Sequence, residues 1–433
     1  MNYAIVLRLL SYILLTEGAL LLLPAVASLC YGEWFVMGVF LFTAALSALA
    51  GALFHRVKAK SQIFYMREGF VTTALCWLLI SVVGAVPFVL TGCIPNPVDA
   101  LFETVSGFTT TGASILPAVA DLPKGILFWR SFTHWVGGMG VLVFIMAFIP
   151  LSGAQNMHIM KAESPGPSVS KLVPRVKTTA LILYSIYFAL TLIEFIMLLF
   201  GGMTVFEALT TSFATAGTGG FGFYNSSMGS FSPYLQIVNT VFMILFAINF
   251  NCYYMLLCGK LREAFNLELR TFLIIIASVI TVITINIHGM FSSVGEALRH
   301  SAFTVASLIS TTGFSTVDFN QWPELSRALL VIIMFIGACA GSTGGGIKVS
   351  RIIILFKGMS KELQTMVQPR QIKKIKIDSR IIDHETVRSV NVYMVAYLMI
   401  FAISLVLISF DNHDLITLSL IHISEPTRRV VIS

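Results

Sequence analysis

Apolar residues fill this chain in long blocks rather than along one face of a helix or at alternate positions. Nine runs stand out, at about 9–30, 34–54, 70–91, 126–150, 178–200, 234–257, 270–290, 326–340 and 389–410. Runs of about 20 apolar residues match a helix that crosses a bilayer. The pattern therefore predicts an all-α polytopic membrane protein. The run at 326–340 is short. The first run is longer than the apolar core of a usual signal peptide and Glu17 interrupts it, so it is read as a retained span.

Between some of these runs lie strips rich in threonine and glycine. "SFATAGTGGFG" occupies 212–222, "LFETVSGFTTTGAS" 101–114 and "AFTVASLISTTGFST" 302–316. Aligned without gaps, Thr110, Thr111 and Gly112 match Thr218, Gly219 and Gly220, and these match Thr311, Thr312 and Gly313. Ser106, Ala214 and Ser307 share a column, and Phe221 matches Phe314. Each strip follows a full span and a semi-polar, helix-like stretch of about 10–12 residues, and a second apolar run follows it. A single Thr-Thr-Gly reads as a helix end and turn. Three in register, each between spans, read as an internal repeat.

Composition agrees with the bilayer reading. Of the 433 residues 56% are hydrophobic and only 11% charged, against about a quarter charged in soluble domains. The net charge of +7 does not point to nucleic acid, because 22 of the 28 Lys and Arg fall in alternate loops and at Arg8. Opposite loops hold Lys124, Arg130, Arg299 and Arg327. This is the positive-inside pattern. It places the N-terminus and the basic loops in the cytoplasm and makes each half-helix and strip re-entrant from the outer side; the expected location is the cytoplasmic (inner) membrane, multi-pass, with the N-terminus inside.

Irregular backbone at membrane depth is tolerated only where it is buried in protein or lines water. Glycine accepts positive φ, so carbonyls can turn toward a shared axis. Rings of such carbonyls replace the hydration shell of a monovalent cation. The half-helices would point their partially negative C-terminal ends to the same place. The expected site is a selectivity filter around one axis.

These strips, with "FIGACAGSTGGGIKVSR" at 335–351 and "AESPGP" at 162–167, resemble the Trk/Ktr/HKT superfamily of potassium transporters, and within it TrkH-like pore subunits. The resemblance covers roughly residues 1–415. It implies tandem span–pore-helix–span repeats around a pseudo-fourfold pore, with two extra N-terminal spans. The implied segments are 1–69 (two spans and a basic loop), 70–177, 178–269 and 270–388 (three repeats), and 389–433 (an incomplete fourth). The implied function is channel-like potassium uptake, with Thr110, Thr111, Gly112, Thr218, Gly219, Gly220, Thr311, Thr312 and Gly313 as the filter. Glycine at 112, 220 and 313 implies potassium, where a serine in the first filter would admit sodium. The resemblance also implies a homodimer and a cytoplasmic, nucleotide-binding, TrkA-like regulatory subunit. No cofactor is expected in the chain, and potassium is the cargo. The alternative reading is a proton- or sodium-coupled secondary cation transporter with broken helices.

"GSTGGGIKVS" at 341–350 is not a phosphate-binding loop, because Ile347 separates Gly346 from Lys348 and Val349 stands where a hydroxyl residue belongs. The small residues from Gly337 to Gly346 predict a kink that breaks the eighth span and lies under the filter. Gly337, Gly341, Ser342, Thr343, Gly344, Gly345, Gly346 and Lys348 are the expected gating loop. Glu17 and Glu194 lie inside apolar runs, where acids are functional candidates. Glu103, Glu207 and Glu296 lie on or before half-helices, where they can attract cations to an outer vestibule; stabilising a helix N-terminus explains Glu207 and Glu296 equally well. Asn249 and Asn251 are read as cavity-lining or interhelical groups. The basic loop 348–388, with "QPRQIKKIKID", suits a partner subunit or anionic lipid, and equally an ordinary solvated positive-inside loop. The six cysteines are scattered. No disulfide framework, transition-metal site or catalytic constellation is expected, and the chain is not read as an enzyme.

The fourth unit begins well but finds no filter glycine, since none follows Gly358. Pro426, Arg428 and Arg429 in "SLIHISEPTRRVVIS" suit neither half-helix nor filter. The tail from about 420 is expected to be unrelated to the repeat, and a chain lacking a fourth strip is expected to restore uptake poorly.

Overall fold

The computed structural model describes residues 2–57, 66–140, 176–224, 226–368, 375–378 and 380–409. The "AESPGP" segment, the outer "DNHD" at 411–414 and the tail from 420 lie outside these residues. Two compact units meet in the sequence at Ser230 and Phe231, inside the segment 178–269 of the expected second repeat.

The first unit opens with α1 (Tyr3–Leu20), α2 (Leu22–Cys30) and α3 (Trp34–His55). Gly18 lies against the carbonyl of Ala44, Gly51 lies against that of Ser11, and the Ser47 hydroxyl donates to the Leu14 carbonyl at 2.8 Å. Small residues of this kind let membrane helices approach closely without a water-driven force. α4 (Met66–Leu90) leads to the half-helix α5 (Pro97–Phe108), and α6 (Lys124–Gly138) follows the first strip. α7 (Val176–Phe200) leads to the half-helix α8 (Val205–Ala216).

The second unit runs through α9 (Pro233–Ala247), α10 (Phe250–Leu257), the short α11 (Leu261–Ala264), α12 (Leu267–Ile287), the half-helix α13 (Val294–Ile309), α14 (Glu324–Ile336) and α15 (Val349–Val367). A two-stranded hairpin pairs β1 (Lys376–Ile377) with β2 (Arg380–Ile381), and α16 (His384–Ser409) follows. Phe272, Ile283, Ile287, Val305, Ile309 and Met334 centre its apolar core.

Among the described residues six helices are long and apolar enough to cross a membrane, or seven if one bent pair counts as a span. Two of the nine expected runs therefore differ, and a third is described only in part. The run 234–257 is not continuous: α9 and α10 meet at 90°. Ile248 leaves the helix with ψ 146°, and the Asn249 side chain accepts the N–H of Asn251 to start the next one. The run 326–340 stops at Ile336, where Gly337 takes φ +68°. At about 1.5 Å per residue its helix is shorter than the ~30 Å apolar layer. In the run 126–150, α6 ends at Gly138 and residues 141–150 lie outside the described set.

Local sequence explains where each half-helix begins. Asn96 accepts the N–H of Val98 ahead of Pro97. Thr204 and Glu207 form a reciprocal capping box. Ser293 accepts the N–H of Glu296. Side-chain caps of this type satisfy helix N–H groups that have no intrahelical partner.

Candidate functional site

The three strips have one backbone. Thr110, Thr218 and Thr311 take φ of +56°, +53° and +62°, and Gly112, Gly220 and Gly313 take +75°, +75° and +80°. The middle residues Thr111, Gly219 and Thr312 are not left-handed. Hydrogen bonds repeat as well. The N–H groups of Thr111, Gly219 and Thr312 donate to the carbonyls of Ser106, Ala214 and Ser307 at 2.9, 3.0 and 2.9 Å. The next N–H groups, of Gly112, Gly220 and Gly313, reach the same carbonyls at 3.5, 3.5 and 3.3 Å. The ungapped alignment of the sequence is thus a structural repeat of residue-by-residue fidelity.

This geometry has a chemical consequence. Alternating left-handed and ordinary residues turn successive N–H groups to one side and leave the carbonyls on the other. Here the N–H groups close onto the half-helix, and the C-terminal helix end adds partial negative charge. The arrangement suits a cation. It is also strained: a β-branched residue in the left-handed region costs on the order of 1–2 kcal/mol. Such strain persists where surrounding structure enforces it, and it clusters at functional sites. Glycine is the residue favoured at such left-handed positions, and threonine stands there in all three strips.

α6 brings the first two strips together. Its glycines allow contact that a side chain would block. A Cβ on Gly137 would lie 1.9 Å from the Phe108 carbonyl oxygen, and one on Gly138 would lie 2.6 Å from the Cα of Gly217. The His134 ring lies where a Gly219 side chain would go, 2.4 Å from that Cβ position at Nδ1, and stacks on Phe221 with centroids 4.1 Å apart. Packing follows one rule in each unit: the helix after a strip packs on the next half-helix, α6 on α8 and α9 on α13.

An ion pair fixes the exits of these two strips. Arg130, expected in an outer loop, lies within α6 and is 4% exposed. Its Nε donates to Oε1 of Glu103 at 2.5 Å and its Nη1 to the Gly222 carbonyl at 3.1 Å, while its guanidinium covers Phe221 at 3.8 Å. Glu103 also accepts from the Ser114 hydroxyl and the Ile115 N–H. Glu103 is therefore a buried partner, not an exposed attractor of cations. Glu207 and Glu296 do stabilise helix starts. Glu17 and Glu194 are buried.

In the second unit the third strip touches the glycine-rich loop. The N–H of Gly345 donates to the Thr311 hydroxyl at 2.6 Å, and a Cβ on Gly344 would lie 2.8 Å from the Ser310 carbonyl oxygen. The loop is pinched at its neck, where Gly337 and Gly346 meet backbone to backbone, and Lys348 follows at φ +80°. The Lys348 ammonium donates to the Gly344 carbonyl. The loop fills the bend between α9 and α10. Cys339 N–H donates to the Ala247 carbonyl, the Thr343 hydroxyl to that of Phe246, and Phe250 N–H to that of Gly341. Asn249 thus caps a helix at the seat of the loop. Among the described residues no group of three or more His, Cys, Asp or Glu could hold a metal ion.

The chain is similar to known proteins over most of its length. The cation transport protein family TrkH matches residues 36–420. The Trk system potassium uptake protein TrkH of Escherichia coli (strain K12) is 34% identical over 426 residues, covering 96% of this chain and 87% of that protein. The TrkG protein of the same organism is 31% identical over 401 residues, covering 91% and 82%. The crystal structure of the potassium transporter TrkH from Vibrio parahaemolyticus superposes with a TM-score of 0.84 at 29% identity, over 98% of this chain and 90% of that one.

Proposed function

We propose a function for a chain that belongs to the TrkH family of cation transport proteins: it carries potassium into the cell as the channel-like, pore-forming membrane subunit of a Trk-type uptake system. The observation that carries this reading is the left-handed threonine and glycine pair repeated in three strips. Thr110–Gly112, Thr218–Gly220 and Thr311–Gly313 supply carbonyl oxygens to a dehydrated potassium ion. An inside-negative potential contributes about 2.3 kcal/mol per 100 mV to the entry of one cation, so uptake needs no chemical conversion by this chain. The loop from Gly337 to Lys348, seated on Thr311, acts as the gate.

The same reading extends to the assembly. The chain works as a homodimer in the cytoplasmic membrane with its N-terminus inside, under a nucleotide-binding, TrkA-like regulatory subunit. It holds no cofactor and carries potassium as cargo. The relatives' names favour potassium uptake over the proton- or sodium-coupled alternative.

Potassium-limited growth of an uptake-deficient bacterium tests the function, with rubidium flux into vesicles as the second readout. The comparison includes this chain, the chain extended by a complete fourth unit, and Gly112→Ser in each. Support is potassium uptake that Gly112→Ser shifts toward sodium. Absence of potassium uptake in both unsubstituted forms, with both in the membrane, overturns the assignment.

A further inference from the structure

We infer that Glu268 is the latch of the glycine-rich loop, a positioning residue that holds both feet of the loop and connects them to the basic hairpin. The inference rests on the gating reading of that loop.

Glu268 sits in the first turn of α12 and is 9% exposed. Its Oε1 accepts the N–H of Ala340 at 2.7 Å and the N–H of Ser350 at 3.2 Å. Ala340 precedes the glycine run and Ser350 follows it, so one oxygen pins both limbs. Ser350 lies in the first turn of α15. Lys348, the N-cap residue just before that helix, offers no side-chain cap of its own. Glu268 caps α15 from another element, supplying the negative charge that a helix N-terminus favours. Charge-assisted bonds of this kind are roughly twice as strong as neutral ones.

The N-terminus of α12 is itself held from the hairpin. The N–H of Leu267 donates to Oδ1 of Asp378 at 2.9 Å, and the Lys357 ammonium on α15 donates to the Lys376 carbonyl at 2.7 Å. Asp378 ends the basic "QPRQIKKIKID" segment. Any displacement of the hairpin acts on Leu267, next to the residue that ties down the loop. The segment noted in the sequence for its charge is thereby joined to the gate through two adjacent residues.

The test reads the loop directly. Cys339 lies in the loop and is fully buried. With Cys30, Cys93 and Cys258 changed to serine, Cys76 and Cys252 remain, and both are buried. Maleimide labelling of Cys339 in the membrane-reconstituted chain is expected to rise several-fold in Glu268→Ala and in Asp378→Ala. Glu268→Gln, which keeps one acceptor oxygen, is expected to restore slow labelling. Rubidium flux should rise with labelling. Flux in a variant lacking residues 342–345 should be raised already and unmoved by Glu268→Ala. Unchanged labelling in both Glu268→Ala and Asp378→Ala, in protein that remains monodisperse, overturns the latch. If Glu268→Ala does not fold, Asp378→Ala at the exposed hairpin decides the matter. Raised labelling with no rise in flux after loop shortening supports the latch and refutes the gating role instead.

Discussion

Arg130 on α6 and Glu103 on the half-helix α5 form a buried ion pair, Nε to Oε1 at 2.5 Å, that ties together the exits of two of the threonine–glycine strips. Removing one partner of a buried pair leaves an uncompensated charge and costs about 3–5 kcal/mol. Arg130→Met and Glu103→Gln are each expected to lower the unfolding midpoint in detergent. The double variant should lose less than the sum, because only the first change leaves a charge alone. Rubidium-over-sodium selectivity should fall in all three. Additive losses with intact selectivity would show that the pair does not position the strips.

The contact of His134 with Gly219 gives a relief experiment. A methyl group at 219 would collide with the imidazole ring. Gly219→Ala is expected to abolish flux and reduce the yield of monodisperse protein. His134→Ala removes the obstacle, so the double variant should recover protein yield and part of the flux. A double variant no better than Gly219→Ala alone would place the cause elsewhere.

Left-handed threonine separates strain from stability. Thr→Gly in ordinary backbone loses about 0.5–1 kcal/mol to chain entropy. At Thr110, where φ is +56°, relief of strain on the order of 1–2 kcal/mol opposes that loss. Thr110→Gly is expected to be neutral or stabilising in thermal unfolding while weakening discrimination between potassium and sodium. A clear destabilisation would contradict the strained assignment.

Glu207 supplies a pH dependence. Burial pushes its carboxyl up, but hydrogen bonds from the Thr204 N–H, the Tyr224 hydroxyl and the Thr204 hydroxyl outweigh this and hold it below the usual carboxylate value. A depressed folded-state value stabilises above the unfolded one, about pH 4.3 for glutamate, and the stabilisation is lost as pH falls through the lowered value. The unfolding midpoint of the wild type should therefore drop in that window. Glu207→Gln should flatten this part of the profile, and an unchanged slope would sink the assignment.

Much of the fold was legible because membrane helices are written in block hydrophobicity, and the strips were legible because threonine and glycine recur in register after each half-helix. Residues whose geometry depends on distant partners were not. "ILFAINFNCYYMLL" at 244–257 reads as one apolar run, yet it breaks at Asn249 because the glycine-rich loop occupies the bend and Gly341 takes the N–H of Phe250. Arg130 read as a loop residue because positive-inside counting ignores depth. Its signal was available: an arginine within an apolar run needs a partner, and Glu103 on the half-helix was a candidate. The partners of Glu268 lie 72 and 82 positions away, which no local pattern reveals.

Anomalous scattering from crystals grown in rubidium locates the ion directly. Rubidium density is expected within coordinating distance of main-chain carbonyls in 110–112, 218–220 and 311–313, weakened there by Gly112→Ser. Strips free of density while rubidium occupies another part of the protein would contradict it.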